Sequence, residues 1–214
     1  MAYVVGLIST DGCLVNTGRH VSFVSEDLQL METFLECLGR PRRFRTEVTP
    51  RGTLLYRIQM GDVALYRWLQ GIGLMQRKSL VIGAIDVPDV FLLPLVRGLL
   101  DGDGTLINKT YRADTKERTD YYWEYLQTKF VSGSRAHVDW LRKSLLGSLG
   151  IVGYLQGVRS GFGDRTGVAY ELRYGKRESL KLLPALYADP LAPRLLRKWQ
   201  IWDAYAERHR IARP

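Results

Sequence analysis

The sequence predicts an α+β fold made of two similar halves, each running helix, strand, strand, helix, strand, strand, helix. Three observations carry that expectation. An apolar stretch ending in Asp-Gly occurs twice, as Val4-Val5-Gly6-Leu7-Ile8-Ser9-Thr10-Asp11-Gly12 and as Val96-Arg97-Gly98-Leu99-Leu100-Asp101-Gly102-Asp103-Gly104, with Asp11 and Asp103 92 positions apart. Shorter stretches recur behind both copies in the same order: Phe23-Val24-Ser25 and Phe130-Val131-Ser132, then Tyr56-Arg57-Ile58-Gln59-Met60-Gly61 and Tyr170-Glu171-Leu172-Arg173-Tyr174-Gly175. The apolar pattern alternates in these stretches, as strands require, and then shifts to spacings of three and four, as helices require. Self-similarity in fixed order marks a duplicated unit, and antiparallel strands with helices on one face define the α+β class.

In chain order, the first motif reads as a helix and Leu14 opens a strand. Asn16-Thr17-Gly18 turns that strand into a second one ending at Phe23-Val24-Ser25. Leu28, Met31, Phe34, Leu35 and Leu38 then lie on one helical face that stops at Gly39. Pro50-Arg51-Gly52 joins the next two strands, and a helical stretch covers residues 63–69. Residues 83–94, with Asp86, Pro88 and Asp89, read as the connection, giving halves at 1–85 and 95–214 with a linker at 86–94. In the second half the first hairpin is longer and strongly polar, over residues 108–120. Val138, Leu141, Leu145 and Leu149 form a helical face ending at Gly150. The last hairpin turns at residues 160–164, and residues 180–186 are again helical.

Composition bounds the function. With 46% hydrophobic residues the chain can bury a core, which excludes general disorder. The apolar run 90–96 is broken by Pro94 and is far shorter than the ~20 residues of a membrane span. Cys13 and Cys37 have no metal-ligand spacing and are too few for a disulfide scaffold. No basic and apolar leader pattern opens the sequence, so an intracellular setting is expected. Thirty-one Lys and Arg against 22 Asp and Glu give a net charge of +9, the footprint of a nucleic-acid binder. A basic structural protein of ribosome or nucleoid would share that charge.

Taken singly, each motif is an ordinary helix terminus with glycine turning left-handed past the cap. The duplication points further. Gly6 and Gly98 fall mid-helix, where glycine costs about 1 kcal/mol relative to alanine. Close packing of the two motif helices about a pseudo-twofold axis accounts for that cost. It also brings Asp11 and Asp103 together at two negative helix ends, where they repel unless cations lie between them. Oxygen ligands with water and phosphate suit Mg²⁺, and paired metals serve in-line phosphodiester displacement.

These residues resemble the LAGLIDADG homing endonucleases in their single-chain, two-motif form, over nearly the whole sequence. The resemblance implies two pseudo-symmetric αββαββα halves whose antiparallel sheets form a saddle over double-stranded DNA. It implies a monomer that makes double-strand breaks across the minor groove of a long asymmetric target, leaving four-base 3′ overhangs. It makes Asp11 and Asp103 the metal-binding acids, with Gly12 and Gly102 beside them, and Mg²⁺ the cofactor; Mn²⁺ or Ca²⁺ can occupy the same sites. No small-molecule cofactor and no membrane are expected, and the compartment is prokaryotic cytoplasm or nucleoid, or an organelle. The sixth motif residue, often Asp in the family, is Asp101 in one copy and Ser9 in the other. A basic residue near the end of each half reaches the cleavage centre in the family, which makes Lys78 and Lys198 candidates, with Gln76 a rival in the first copy. A polar residue near the end of the second strand orders water there; the matching positions are Glu26 and Gly133, and glycine cannot play that part.

The DNA-facing candidates are Arg19, His20, Arg42, Arg43, Arg45, Arg51 and Arg57 in the first half. In the second they are Lys109, Arg112, Lys116, Arg118, Lys129, Arg159, Arg165 and Arg173. Alternate residues on a strand share a face, so a sheet in the groove presents every second side chain to bases or phosphates. A non-cleaving protein of the same fold, an RNA maturase or a DNA-binding regulator, is the alternative function.

Overall fold

The computed structural model describes residues 1–112, 121–162 and 165–211, and only the backbone of 160–162 and 165–166. The first half consists of α1 (Ala2–Asp11), β1 (Gly12–Leu14), β2 (His20–Ser25), α2 (Leu28–Cys37), β3 (Arg45–Val48), β4 (Leu54–Gly61) and α3 (Val63–Gly71). Two single 3-10 turns follow, Lys78–Leu80 and Asp89–Phe91. The second half repeats the order as α4 (Leu92–Asp101), β5 (Thr105–Arg112), β6 (Tyr122–Ser132), α5 (Arg135–Leu149), β7 (Tyr154–Phe162), β8 (Arg165–Tyr174) and α6 (Lys176–Leu186), and adds α7 (Leu196–Arg208).

Each half holds a four-stranded antiparallel sheet, in the orders β1-β2-β4-β3 and β5-β6-β8-β7. The duplicated order therefore stands, with three differences. The stretch read as a polar hairpin at 108–120 is strand as far as Arg112, because Asn108 and its neighbours find cross-strand partners on β6. Helix α4 starts at Leu92, inside the stretch read as the connection, since Pro94 falls in its first turn, where no amide donor is needed. Lys198 sits within α7 and Lys78 within a 3-10 turn, so the pair that matches in sequence lies on different local structures.

Local signals explain the element ends. Asp27 and Asp62 cap α2 and α3 by accepting from the Leu30 and Leu65 amides. Gly150 closes α5 in the left-handed conformation at φ 61. Gly12 behaves otherwise: its φ is −94, and the end of α1 has no left-handed cap.

One apolar core runs through both halves. Val4, Val5, Leu7 and Ile8 of α1 and Leu95, Val96, Leu99 and Leu100 of α4 are all buried in it. The two helices cross at their glycines. A Cβ on Gly6 would lie 2.3 Å from the Leu95 carbonyl oxygen, and one on Gly98 would lie 2.2 Å from that of Tyr3. Only bare backbone fits at this crossing.

Candidate active site and nucleic-acid face

The crossing sets the carboxyl ends of α1 and α4 side by side. Asp11 is the last residue of α1 and Asp103 follows α4 by two. Both line one open cavity of about 770 Å³, together with Glu26, Asp27, Asp101, Gly102 and Arg197. A Cβ on Gly102 would come within 2.0 Å of the Thr10 hydroxyl and 2.9 Å of Asp11 Oδ2. The side chain of Thr10 thus fills the space that Gly102 leaves bare.

Burial and then the charge of Asp103 push Asp11 up to about 6, while the Thr10 hydroxyl, Lys198 and Lys78 pull the other way. Burial raises Asp103 as well, against the attraction of Lys198 and Lys78. Two desolvated carboxylates at two negative helix ends are thus held in mutual repulsion.

Lys78 and Lys198 lie under this pair. Lys78 Nζ donates to the carbonyls of Gly12 at 2.6 Å and Thr10 at 3.4 Å. The three N–H groups of Lys198 Nζ are shared among four carbonyls, those of Leu100 at 2.6 Å, Asp101 at 2.9 Å, Gly102 at 3.0 Å and Gly104 at 2.6 Å. They satisfy carbonyls that a helix end leaves without partners. Burial lowers Lys78, and it lowers Lys198 to about 8 against the attraction of Asp101. Both ammoniums are spent on backbone, and the exposed cation of the cavity is Arg197, whose Nε is 3.1 Å from Asp27 Oδ2. The Gly12 and Gly102 carbonyls each already accept from a lysine. Gln76 lies elsewhere: its amide donates to the Tyr66 hydroxyl at 2.7 Å, which itself donates to the Val15 carbonyl.

Asp101 is buried and ties three elements together. Its Oδ2 accepts from the Tyr3 hydroxyl at 2.9 Å and from the Leu195 amide at 2.8 Å, where α7 begins. Burial pushes its carboxyl up to about 6 against those hydrogen bonds. Ser9, at the matching position, only bonds back to the Val5 carbonyl of its own helix.

Strand register sorts the basic candidates. His20, Arg45 and Arg57 share the face of the first sheet turned away from the buried Val21 and Phe23. Lys109, Lys129 and Arg173 share the corresponding face of the second, opposite the buried Leu126 and Phe130. Arg43 joins Arg45 and Arg57 around a cleft of about 410 Å³. Arg19 and Arg51 lie in hairpin turns. Arg112 and Arg159 fall on the opposite strand parity, paired with Tyr122 and Val168. Arg42 turns to helix α2, 3.4 Å from Glu32 and 3.8 Å from Glu36. The Arg165 backbone opens β8, and Lys116 and Arg118 lie outside the described residues.

Three of the outward cations have carboxylate partners on the same face. Glu47 pairs with Arg57 at 2.6 Å, and Glu171 holds both Lys129, at 2.8 Å, and Arg173. The hydrogen bond from Lys129 chiefly, and then that from Arg173, overcome burial to bring Glu171 down to about 2. Sequence reasoning missed Glu171 and the outward aromatics Tyr111, Trp123 and Tyr125. The alternation Trp123-x-Tyr125-x-Gln127-x-Lys129 held that signal.

No protein-family model matches the chain, and no curated protein matches it in sequence. Solved structures do match. The meganuclease I-SmaMI, bound to uncleaveable DNA, superposes with a TM-score of 0.61 at 15% identity over 95% of this chain and 89% of its own. The LAGLIDADG homing endonuclease I-LtrWI, bound to target DNA, gives 0.58 at 12% identity over 98% and 90%. This chain has the LAGLIDADG fold. Full-length DUF199/WhiA from Thermatoga maritima matches the same LAGLIDADG architecture at 0.54 and 15% identity, over 97% of this chain. This chain spans 61% of that protein's length. Among the described residues, no helix is long and apolar enough to cross a membrane.

Proposed function

We propose that the chain is a divalent-metal-dependent, site-specific endonuclease acting on double-stranded DNA as a monomer. The observation that carries this reading is the convergence of Asp11 and Asp103 in one open cavity, in a chain whose two sheets both carry outward cations. Two hard carboxylates, each raised by burial, form a donor set that a cation relieves. Among the described residues no third His, Cys, Asp or Glu completes a cage. A cation held by one or two carboxylates keeps several waters and takes phosphate oxygens, which is the habit of Mg²⁺. Once bound there, it supplies Lewis-acid polarisation of the phosphate and an activated water.

The rest is done by this chain's own groups. Lys78 and Lys198 are positioning residues: they fix the two helix ends and favour the ionised form of both acids. Arg197 lines the cavity, placed to meet a phosphate oxygen. Glu26 lines it too, placed to order water. One chain supplies both acids, so no second copy is needed. The unlike halves fit a long asymmetric target, as in intron homing.

The second reading, a non-cleaving DNA-binding regulator or RNA maturase, draws on WhiA, which shares the fold over 97% of this chain. The test is to enrich a duplex from a randomised library on the wild-type chain and incubate it with Mg²⁺ or Mn²⁺. Double-strand cleavage is expected, with Asp11→Asn and Asp103→Asn each reducing it at least about 10²-fold while leaving binding intact. Retention of the duplex without cutting in either metal replaces the nuclease reading with the second one.

A further inference from the structure

The outward faces of the two sheets differ in a way that charge does not explain. On β5 and β6, Tyr111 lies opposite Trp123 and Lys109 opposite Tyr125, all on the face that also carries Gln127 and Lys129. Tyr111 and Trp123 stack with centroids 4.7 Å apart and planes 21° apart. Tyr125 meets them edge-on at 6.4 and 6.0 Å. Tyr111 and Trp123 nevertheless stay 41% and 43% exposed. The matching face of the first sheet carries Cys13, His20, Ser22, Val24, Leu55, Arg57 and Gln59, with the His20 imidazole as its one ring and no Phe, Tyr or Trp among them.

We propose that Tyr111, Trp123 and Tyr125 form an apolar reading surface for the C5-methyl group of pyrimidines in the DNA major groove. This rests on the DNA-binding reading above. A two-stranded ribbon fits the major groove, and thymine is distinguished there by a methyl group that apolar side chains contact. Lys109, Lys129 and Arg173 on the same face supply sequence-independent attraction to phosphate. The aromatic cluster adds no charge, so its contribution falls on base edges. Thymine and 5-methylcytosine offer the same group. The half-site under the second sheet is thus read partly by methyl groups, through an aromatic cluster that the first sheet lacks.

A cross-strand aromatic pair also stabilises a hairpin, so the test reads a ratio rather than an affinity. The duplex enriched by the wild-type chain is resynthesised with deoxyuridine replacing thymidine at one position at a time, and each form is titrated in the absence of cleavage. At one or more thymines, all in one half of the duplex, binding weakens about four-fold on loss of the methyl. Trp123→Ala returns that thymine-to-uracil ratio to one. Trp123→Thr, which keeps a strand-forming residue, replaces it if the alanine chain does not fold. In a second arm each cytosine of that half becomes 5-methylcytosine. A rise in affinity extends the surface to both sources of the methyl, and no rise confines it to thymine. A wild-type ratio of one at every thymine, an enriched duplex without thymine, or a Trp123 variant that keeps the ratio overturns the proposal. A wild-type chain that enriches no duplex overturns the DNA-binding reading itself, so the two failures are distinct.

Discussion

Lys78 donates to two carbonyls at the end of α1, whereas the three N–H groups of Lys198 are shared among four carbonyls around the end of α4. The same inequality recurs around both acids. Asp101 joins α4 to Tyr3 and to the start of α7, while Ser9 bonds only within α1. Thr10 fills the space beside Gly102. Glu26 lines an open cavity, but at Gly133 a Cβ would sit 2.6 Å from the Ser79 carbonyl oxygen, because the 78–80 turn passes there. The cavity on that side holds only about 80 Å³. The glycines of the crossing and the two acids are alike in both halves, whereas the residues that flank them, Ser9 against Asp101, Thr10 against Gly102 and Glu26 against Gly133, are not. Beside a pseudo-twofold axis the two copies share one volume: at the crossing neither carries a side chain, and next to it Thr10 is accommodated because Gly102 is bare.

Four measurements sharpen or break that comparison. The largest effect is expected where the halves are alike. Gly6→Ala and Gly98→Ala each push a methyl into a backbone carbonyl, costing about 3 kcal/mol or more and lowering Tm by about 10 °C. A large gap between the two variants would break the symmetry of the crossing. Next, Lys198→Met is expected to cost about 3 kcal/mol and Lys78→Met about 2, the larger loss falling where more carbonyls are left unpaired. Equal losses in urea unfolding would show that carbonyl count does not govern these sites. Third, Asp101→Ala leaves the Tyr3 hydroxyl and Leu195 amide unpaired at about 2 kcal/mol, whereas Ser9→Ala stays within about 0.5 kcal/mol of wild type.

The smallest effect concerns acid. Burial alone would raise Glu124, but hydrogen bonds from Arg208, Asn108 and His209 outweigh it and bring it down to about 2. Because folding favours the ionised form, the stability Glu124 lends is complete above its ordinary value of 4.5 and is lost as pH falls towards 2. The Tm gap between wild type and Glu124→Gln therefore closes over that interval. The pairing of Glu47 with Arg57 in the first half is exposed, and Glu47→Gln should show no such gap.

Much of the fold was legible because its signals are local. Gly39 and Gly150 ended their helices, and Gly18 and Gly52 took the positive φ their turns require. The two acids were legible because duplication marks them twice. The lysines were located by sequence but not understood, since their partners lie 66 to 98 positions away. Arg42 looked like part of a basic stripe and instead turns to Glu32 and Glu36, which nothing in the strand pattern could indicate. Gly133 read as a missing catalytic group, whereas the structure gives it a steric reason in the Ser79 carbonyl.

The sequence by itself determined the two halves, their order of helices and strands, the glycines of the crossing and the pair Asp11 and Asp103. Periodicity and turn chemistry act over a few residues, and a repeat is visible wherever it lies. Only the tertiary structure decided that Lys78 and Lys198 are spent on backbone carbonyls, that Arg197 is the exposed cation of the cavity, and that one sheet face carries an aromatic cluster and the other does not. Those outcomes depend on which distant groups share one small volume, and packing across the axis sets that.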